Sequence, residues 1–465
     1  MNPDAQIVED DVTNWDGKIS LLYPVITGGC ERRQLRAIYE FARLSKLAPD
    51  SALFLVVPAL VGHLGSSYPS IREATAFALC RLAGRAGAPF CPIIGQHGAI
   101  SIILGLLPES SDRFRRSLLR LLSALVAFHG PNRITLAQNN GLDIVLELIT
   151  SCFDDTRKPL LEILSAMAML REVRRLVISA GALSFLIEAI SLGRMISRMQ
   201  AAHAIGLLGV SKRVRCMLAD SGAALALLQL IREGNQSAKI TAGNALGIIS
   251  SHVDCIRPVA EAGAIPLYIE LLEGPEPLGR EIAEDVFCIL AVAEENAVLI
   301  AEQLVRVLRG CDEEAKSAAV NVFWDIAVYK HSVPVVRDSG AVPLLIEILR
   351  NGNVDIRVKV MGTIALLCYE EANRRALAEA GGIPLLIDLI NGASEELRDY
   401  ATEALTSFGE DPTFRDLVSE ANDMNFPAFV DASGRVNHIL TSNEYMSSSM
   451  SRLSVEQPTS DPGFS

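Results

Sequence analysis

Polar and apolar residues along this chain follow a pattern that keeps returning. From Ala378 the sequence reads AEAGGIPLLIDLI, and it is preceded by ANRRALAEA. On both sides of the glycines, apolar residues recur every three or four positions, the spacing of one helix face. Between them Gly381 or Gly382 can take a positive φ, which ends the first helix and turns the chain. Pro384 then suits the first helical position, where the N–H it lacks has no helical partner. The pattern predicts a short helix, a glycine joint and a second helix.

The same joint appears as AEAGAIPLYIELL from Ala260 and RDSGAVPLLIEIL from Arg337. Looser copies centre on Gly222, Gly181, Gly141 and Gly98. From Gly98 to Gly263 the joint glycines are 43, 40, 41 and 41 residues apart; a gap of 77 then leads to Gly340, and 41 more to Gly381. That gap holds a copy without its glycine, LIAEQLVRVLRG from Leu299. Upstream, LVVPALVGHL and GKISLLYPVI fit as two further copies.

A further helix follows each joint, as in KITAGNALGIIS, KSAAVNVFWDIA and RDYATEALTSFG. Aligned on one position, these helices give Glu40, Arg81, Ala124, Ala166, Leu207, Ile248, Ile289, Asp325, Leu366 and Ser407, mostly 41 apart with one step of 36. A period near 40 built from helices alone means stacked units, none of which buries its apolar face by itself. The expected fold is all-α, a single continuous solenoid of about ten units over residues 17–430.

NRRALAEAGGIPLLIDLI followed by SEELRDYATEALTSF resembles the armadillo repeat, whose signature runs N…I…AGAIP-LV-LL…A-AL-NLA. The resemblance covers roughly residues 17–421. It is strongest around Gly263, Gly340 and Gly381, and weaker toward the N-terminus. HEAT units, the nearest alternative, lack the Gly-x-x-Pro joint. The resemblance implies a right-handed superhelix whose longest helices line a concave groove that binds extended segments of partner proteins. Among armadillo proteins, the style is similar to plant armadillo-repeat-only proteins and to the array of plant U-box proteins, with no U-box expected in the short stretch ahead of the repeats.

At the ends the pattern changes. Residues 1–16 hold five acids and no base, and are expected to be a disordered acidic lead without signal or transit character. ANDMNFPAFV falls one period after the last joint, with Asn422 in place of the glycine, and is expected to form a partial capping unit over 422–430. The Ser-rich stretch 431–465 carries too little apolar surface to fold and is expected to be mostly disordered.

Net charge is −13, of which the body of the chain carries −5 once both ends are set aside. No nucleic-acid partner is expected from such a balance. Nine scattered cysteines without a CxxC disfavour disulfides and a structural zinc, and fit a reducing compartment, cytoplasmic and/or nuclear. The most apolar run, ALFLVVPALVGHL, is 13 residues long and interrupted by Pro58. It is too short to cross a bilayer, so no membrane insertion is expected. MNPDAQ lacks the glycine of a myristoylation site, and PGFS is not a prenylation end.

No catalytic motif survives inspection. GKIS at Gly17 lacks the upstream glycines of a phosphate loop, and HExxH and GxSxG are missing. No histidine stands at metal-ligand spacing, so no metal or other cofactor is expected. His203 reads as a packing or groove residue. Glu284 and Asp285 are adjacent on a helix and do not face each other, which weakens them as a carboxylate pair.

Importin-α and β-catenin place Asn at many of the aligned positions, and importin-α adds a Trp one turn earlier. Here none of the aligned residues is Asn. The residues one turn earlier are Arg36, Phe77, Arg120, Glu162, His203, Asn244, Asp285, Asn321, Gly362 and Glu403. A role as nuclear transport adaptor is therefore disfavoured. Residues four and eight before each aligned position share its face. In the first four units that face collects Arg32, Arg36, Arg81, Arg116, Arg120 and Lys158 against Glu40, Glu73 and Glu162. The middle units contribute His203, Leu207, Asn244 and Ile248. The last four give Glu281, Asp285, Asp325, Asp399 and Glu403 with no base, and the polar Asn321.

The expected function is a non-catalytic scaffold or adaptor that binds proteins or extended peptides along this groove. The alternatives are a substrate-recruiting component linked to ubiquitination, and nuclear transport. Self-association is left open.

Overall fold

The computed structural model describes residues 15–151, 155–327, 329, 331–392 and 394–422, and among these every regular element is a helix. The segments 1–16 and 431–465 and the capping unit 422–430 lie outside the described residues, except that Trp15 and Asp16 open the first helix and Asn422 closes the last. By contacts the described chain divides into two compact units, meeting at Ala204 and Ile205.

The first unit opens with α1 (Trp15–Gly28) and α2 (Glu31–Leu44). Next come α3 (Asp50–Leu53), a single 3-10 turn, α4 (Val57–Leu64) and α5 (Pro69–Ala83). Two triplets follow. The first is α6 (Cys91–Gln96), α7 (Ala99–Leu106) and α8 (Asp112–Ala127); the second is α9 (Gly130–Gln138), α10 (Gly141–Ser151) and α11 (Arg157–Met167). A last pair, α12 (Arg171–Ser179) and α13 (Leu183–Ser191), leads into α14 (Met195–Gly209), within which the division falls. The third helices α2, α5, α8 and α11 pack side by side in order.

The second unit continues with α15 (Lys212–Ala219), α16 (Ala223–Glu233) and α17 (Gln236–Ser250), then α18 (Val253–Glu261), α19 (Ala264–Leu272) and α20 (Pro277–Leu290). A two-helix repeat follows, α21 (Glu294–Leu308) and α22 (Glu313–Ile326). The remaining triplets are α23 (Ser332–Asp338), α24 (Ala341–Asn351) and α25 (Val354–Leu367), then α26 (Glu371–Glu379), α27 (Gly382–Gly392) and α28 (Glu395–Glu410), with α29 (Arg415–Asn422) last. Here α17, α20, α22, α25 and α28 pack in sequence as the third helices. Each aligned position from Glu40 to Ser407 falls on a third helix, as the period requires.

The joints work as expected, with three corrections. Gly381 takes φ +78°, and α27 begins at Gly382. Pro384 is therefore the third helical residue, not the first. It costs nothing there, because the first four N–H groups of a helix all lack an internal acceptor. At the copy around Gly141, Asn140 adopts the left-handed conformation (φ +56°) instead of the glycine. Gly141 is needed for space: a Cβ on it would meet Leu136 Cδ1 at 2.4 Å. Where the glycine is lost altogether the joint is lost too, and α21 runs as one helix of 15 residues. This fusion accounts for the short step of 36.

Caps start several third helices. Asn235 Oδ1 accepts from Ala238 N at 2.9 Å, Asn353 Oδ1 from Ile356 N at 3.0 Å, and Asp312 Oδ1 from Glu314 N at 2.9 Å, each satisfying an N–H the helix cannot. Buried asparagines tie one repeat to the next. Asn132 Nδ2 donates to Leu125 O at 2.9 Å and to Cys91 O, one repeat earlier, at 3.0 Å. The core is aliphatic, with Tyr268 its largest fully buried side chain; its hydroxyl donates to Gly243 O at 2.7 Å. Among the described residues no single helix is long and apolar enough to cross a membrane.

Candidate interaction surface on the third helices

In the first unit Arg36, Arg120 and Lys158 are exposed on α2, α8 and α11, and Arg81 is half-buried on α5. Arg36 is exposed on α2 and lines an open pocket of about 300 Å³ with Leu22, Val25, Arg33, Ala37 and Glu40. Glu40 is clasped by Arg43, whose guanidinium holds its carboxyl below the usual range. On α5 the Arg81 guanidinium lies 5.8 Å from the centroid of Phe77, one turn earlier, and Phe77 in turn meets Tyr39 of α2 at 6.4 Å. Both rings are about half exposed, at 46% and 50%. Arg120 and Lys158 project freely into solvent from α8 and α11. Arg116, by contrast, is tied to Asp155 Oδ2 at 3.0 Å.

Glu162, counted on this face by spacing, is not on it. It is 6% exposed and accepts from Ser123 Oγ at 2.6 Å, Arg194 N at 2.9 Å and Arg194 Nε at 3.2 Å. That is a buried, bonded carboxylate holding the start of α14. His203 is half-buried; burial holds its imidazole below the usual range, and the charge of Arg174 adds to this.

In the second unit Leu207 and Asn244 are half-buried, and Asn244 Oδ1 is enclosed without a hydrogen-bond partner. Ile248 departs from expectation. It is 3% exposed and packs on the side-chain-free face of α14, where a Cβ on Gly209 would meet Ile248 Cγ2 at 3.2 Å. Asp285 also departs, being 7% exposed on the packed side of α20. The neighbouring Glu284 is half-buried and joins the surface instead, its Oε2 accepting from Asn321 Nδ2 of α22 at 3.1 Å. Desolvation pushes the Glu284 carboxyl up to about 7; Asp325 and Asp285 add to this, while Asn321 and Lys359 oppose it. Lys359 thus brings a cation to a face expected to hold none.

Asp325 is half-buried and accepts from Cys288 Sγ at 3.4 Å. Beside it, Trp324 lies across the third helix of the next repeat, where Gly362 leaves room: a Cβ there would stand 3.2 Å from the indole. The same indole meets the ring of Tyr400 on α28 edge-on, with centroids 6.3 Å apart and an angle of 84°. Glu403, half-buried, accepts from the Tyr369 hydroxyl, while Glu281 and Asp399 are exposed. Across four consecutive third helices, α20, α22, α25 and α28, the surface therefore presents an indole and a phenol bordered by the carboxylates of Glu284, Asp325 and Glu403. Such a surface suits cationic side chains, which are attracted both by carboxylates and by aromatic faces.

Spacing placed Phe77 on this face without giving it a role, and missed Tyr39, Glu284, Trp324, Lys359 and Tyr400. For Trp324 a signal existed: Gly362 occupies a position where a neighbouring helix can rest a large ring. For Glu284 the signal was weaker, since it differs from Asp285 by one helical position.

Comparison with known proteins follows the repeat. Residues 370–407, from the end of the α25 repeat through most of α28, match the Armadillo/beta-catenin-like repeat. A curated relative, "Armadillo repeat-containing protein gudu" of Drosophila melanogaster, is 28% identical over 104 residues, which is 22% of this chain and 16% of that protein. The chain thus matches about a sixth of the length of that relative. A crystal structure of an engineered protein from the Northeast Structural Genomics Consortium aligns over 84% of this chain and 98% of its own, with TM-score 0.64 and 20% identity, a likeness of fold. Repeat signature, helical triplets and the match over residues 370–407 agree: that stretch is an armadillo-like repeat, set in an array of similar helical units.

Proposed function

We propose that the chain is a non-catalytic interaction scaffold whose third-helix faces bind extended segments of partner proteins. The face of the second unit takes a basic segment. The observation that carries this is Trp324, resting on Gly362, edge-on to Tyr400 and flanked by Glu284, Asp325 and Glu403. The face of the first unit takes an acidic segment, on Arg36, Arg81, Arg120 and Lys158, with Tyr39 and Phe77 supplying apolar contact. Complementary charge of this kind sets orientation and association rate more than affinity. A cytoplasmic or nuclear setting belongs to the same proposal, supported by the free thiols among the described residues. Neither recruitment for ubiquitination nor nuclear transport has an observation that favours it.

The test is affinity capture from source-cell lysate by wild type, by Asp325→Lys with Glu403→Lys, and by Arg120→Glu with Lys158→Glu. Asp285 is left alone, since a lysine at that buried position would disturb the core. Each double variant is expected to lose its own subset of partners. Identical capture by all three would refute the proposal.

A further inference from the structure

Away from the third helices, α15 and α18 of the second unit bring together a thiol, an imidazole and a carboxylate. Cys216 Sγ lies 3.1 Å from His252 Nε2, and His252 Nδ1 stands 3.7 Å from Asp254 Oδ2. Repeat geometry creates the arrangement. Cys216 sits on the first helix of one repeat, His252 is the N-cap of the first helix of the next, and Asp254 belongs to that helix's first turn. The sulfur is exposed, whereas the imidazole is largely enclosed, at 17%. Its Nδ1 makes no hydrogen bond.

The other thiols are placed differently. Burial pushes the Cys80 thiol up to about 12, and those of Cys91 and Cys255 up to about 11. Cys30 and Cys311 are exposed, but neither makes a hydrogen bond to a histidine among the described residues. The charged groups around Cys216 are also distinctive. Lys212 and Arg213, both exposed, stand four and three residues before it on α15 and share its face. Arg215 is its buried neighbour, and Asp220 lies one turn beyond.

We propose that Cys216, His252 and Asp254 form a modification site for small anionic disulfides. His252 Nε2 takes the thiol proton, and the Asp254 carboxylate steadies the resulting imidazolium. The thiolate attacks one sulfur of the disulfide R–S–S–R. The S–S bond breaks as the Cys216–S–S–R bond forms, and the leaving thiolate RS⁻ takes the proton from His252 to depart as RSH. The incoming disulfide is the oxidant, so no other reagent is consumed. Lys212 and Arg213 favour a disulfide carrying carboxylates.

The experiment treats the full chain with oxidised glutathione and locates the adducts by peptide mass mapping over time. An ordinary exposed thiol is only about 3% ionised at pH 7. Because the thiolate is the nucleophile, Cys216 is expected to react about tenfold faster than Cys30 and Cys311. His252→Gln should remove that advantage at pH 7 and leave the Cys30 and Cys311 rates unchanged. At a pH above the ordinary thiol range the variant and wild type should converge. Cystamine, a cationic disulfide, should lose the preference for Cys216. Continued protection of Cys255 reports that the repeat remains folded. If His252→Gln exposes Cys255, Asp254→Asn at an 85% exposed side chain carries the test, with a slowing of about threefold expected. Equal labelling of Cys30, Cys216 and Cys311, or unchanged Cys216 rates in both variants, overturns the site. A faster reaction with cystamine than with glutathione overturns the anionic preference.

Discussion

Replacing Glu284 by Gln should make the second unit more stable at alkaline pH, although the change removes a charge from a polar surface. The carboxyl is raised from 4.5 to about 7, chiefly because it is desolvated. A folded chain that holds this proton more tightly than the unfolded chain gains stability wherever the group is protonated. The gain is complete below about 4.5 and is lost as pH rises through about 7. At roughly 1.4 kcal/mol per pH unit, the full difference is about 3 kcal/mol, an upper figure given that the group keeps some contact with water. Glutamine keeps the acceptor that Asn321 Nδ2 uses at 3.1 Å but never ionises. Other titrating groups, the neighbouring Asp285, Asp325 and Lys359 included, are present in both proteins and largely cancel in the difference. The two tryptophans are Trp15 and Trp324. In a Trp15→Phe background, fluorescence of Trp324 therefore reports urea unfolding of the second unit. Wild type and Glu284→Gln should unfold at similar urea concentrations near pH 4.5. At pH 8.5 the variant should be favoured by about 2–3 kcal/mol. A gap that does not change between these pH values, or a variant less stable than wild type at pH 8.5, refutes the reasoning.

The same carboxyl ties pH to binding: a lysine-rich peptide bound beside Glu284 should release a fraction of a proton at neutral pH, read by calorimetry in two buffers of different ionisation enthalpy. Trp324→Ala should weaken such a peptide by about 1–2 kcal/mol through the lost cation–π contact, measured by fluorescence polarisation of the labelled peptide. Gly340→Ala should cost about 1–2 kcal/mol from φ +79° alone, since a Cβ there meets nothing. Gly340→Asn should cost clearly less, as Asn140 fills the equivalent joint; thermal unfolding ranks the two. Glu162→Ala should destabilise the first unit by about 3 kcal/mol or more, because it leaves Arg194 and Ser123 without their shared acceptor, and a lowered urea midpoint checks this.

The helical period was legible in the sequence because glycine does work that few residues can replace. Six of the joint glycines stand at positive φ, and the spacing between them fixed the third helices before any contact was known. The exceptions have physical causes that leave no regular trace. Asn140 can adopt the same conformation as glycine, and a chain that lacks both, as in α21, continues as a helix. The surface was harder to read than the fold. Neighbouring residues on a helix differ by about 100° around its axis, so a one-position offset exchanges the half-buried Glu284 for the buried Asp285. Pairs such as Asn321 with Glu284, or Arg194 with Glu162, join residues 37 and 32 apart. No local pattern announces them.

What sets the Trp324 surface apart is how its carboxylate is met. Elsewhere the chain answers an enclosed acid with an arginine. Arg157 holds Glu188 through two bonds of 2.6 Å, Arg374 holds Asp411 at 3.0 Å, and Arg194 holds Glu162. Glu284 receives the neutral amide of Asn321, and the charge of Lys359 leaves its carboxyl raised to about 7. On the same surface a glycine sits within α25 and a tryptophan of α22 remains half-buried across it, at a stability cost of about 1 kcal/mol for the glycine alone. Each choice weakens the isolated fold. Local rules are broken together mainly where a site needs them broken. An arriving cation would lower the Glu284 carboxyl back toward its ordinary range and cover the indole, so that one contact relieves both weaknesses.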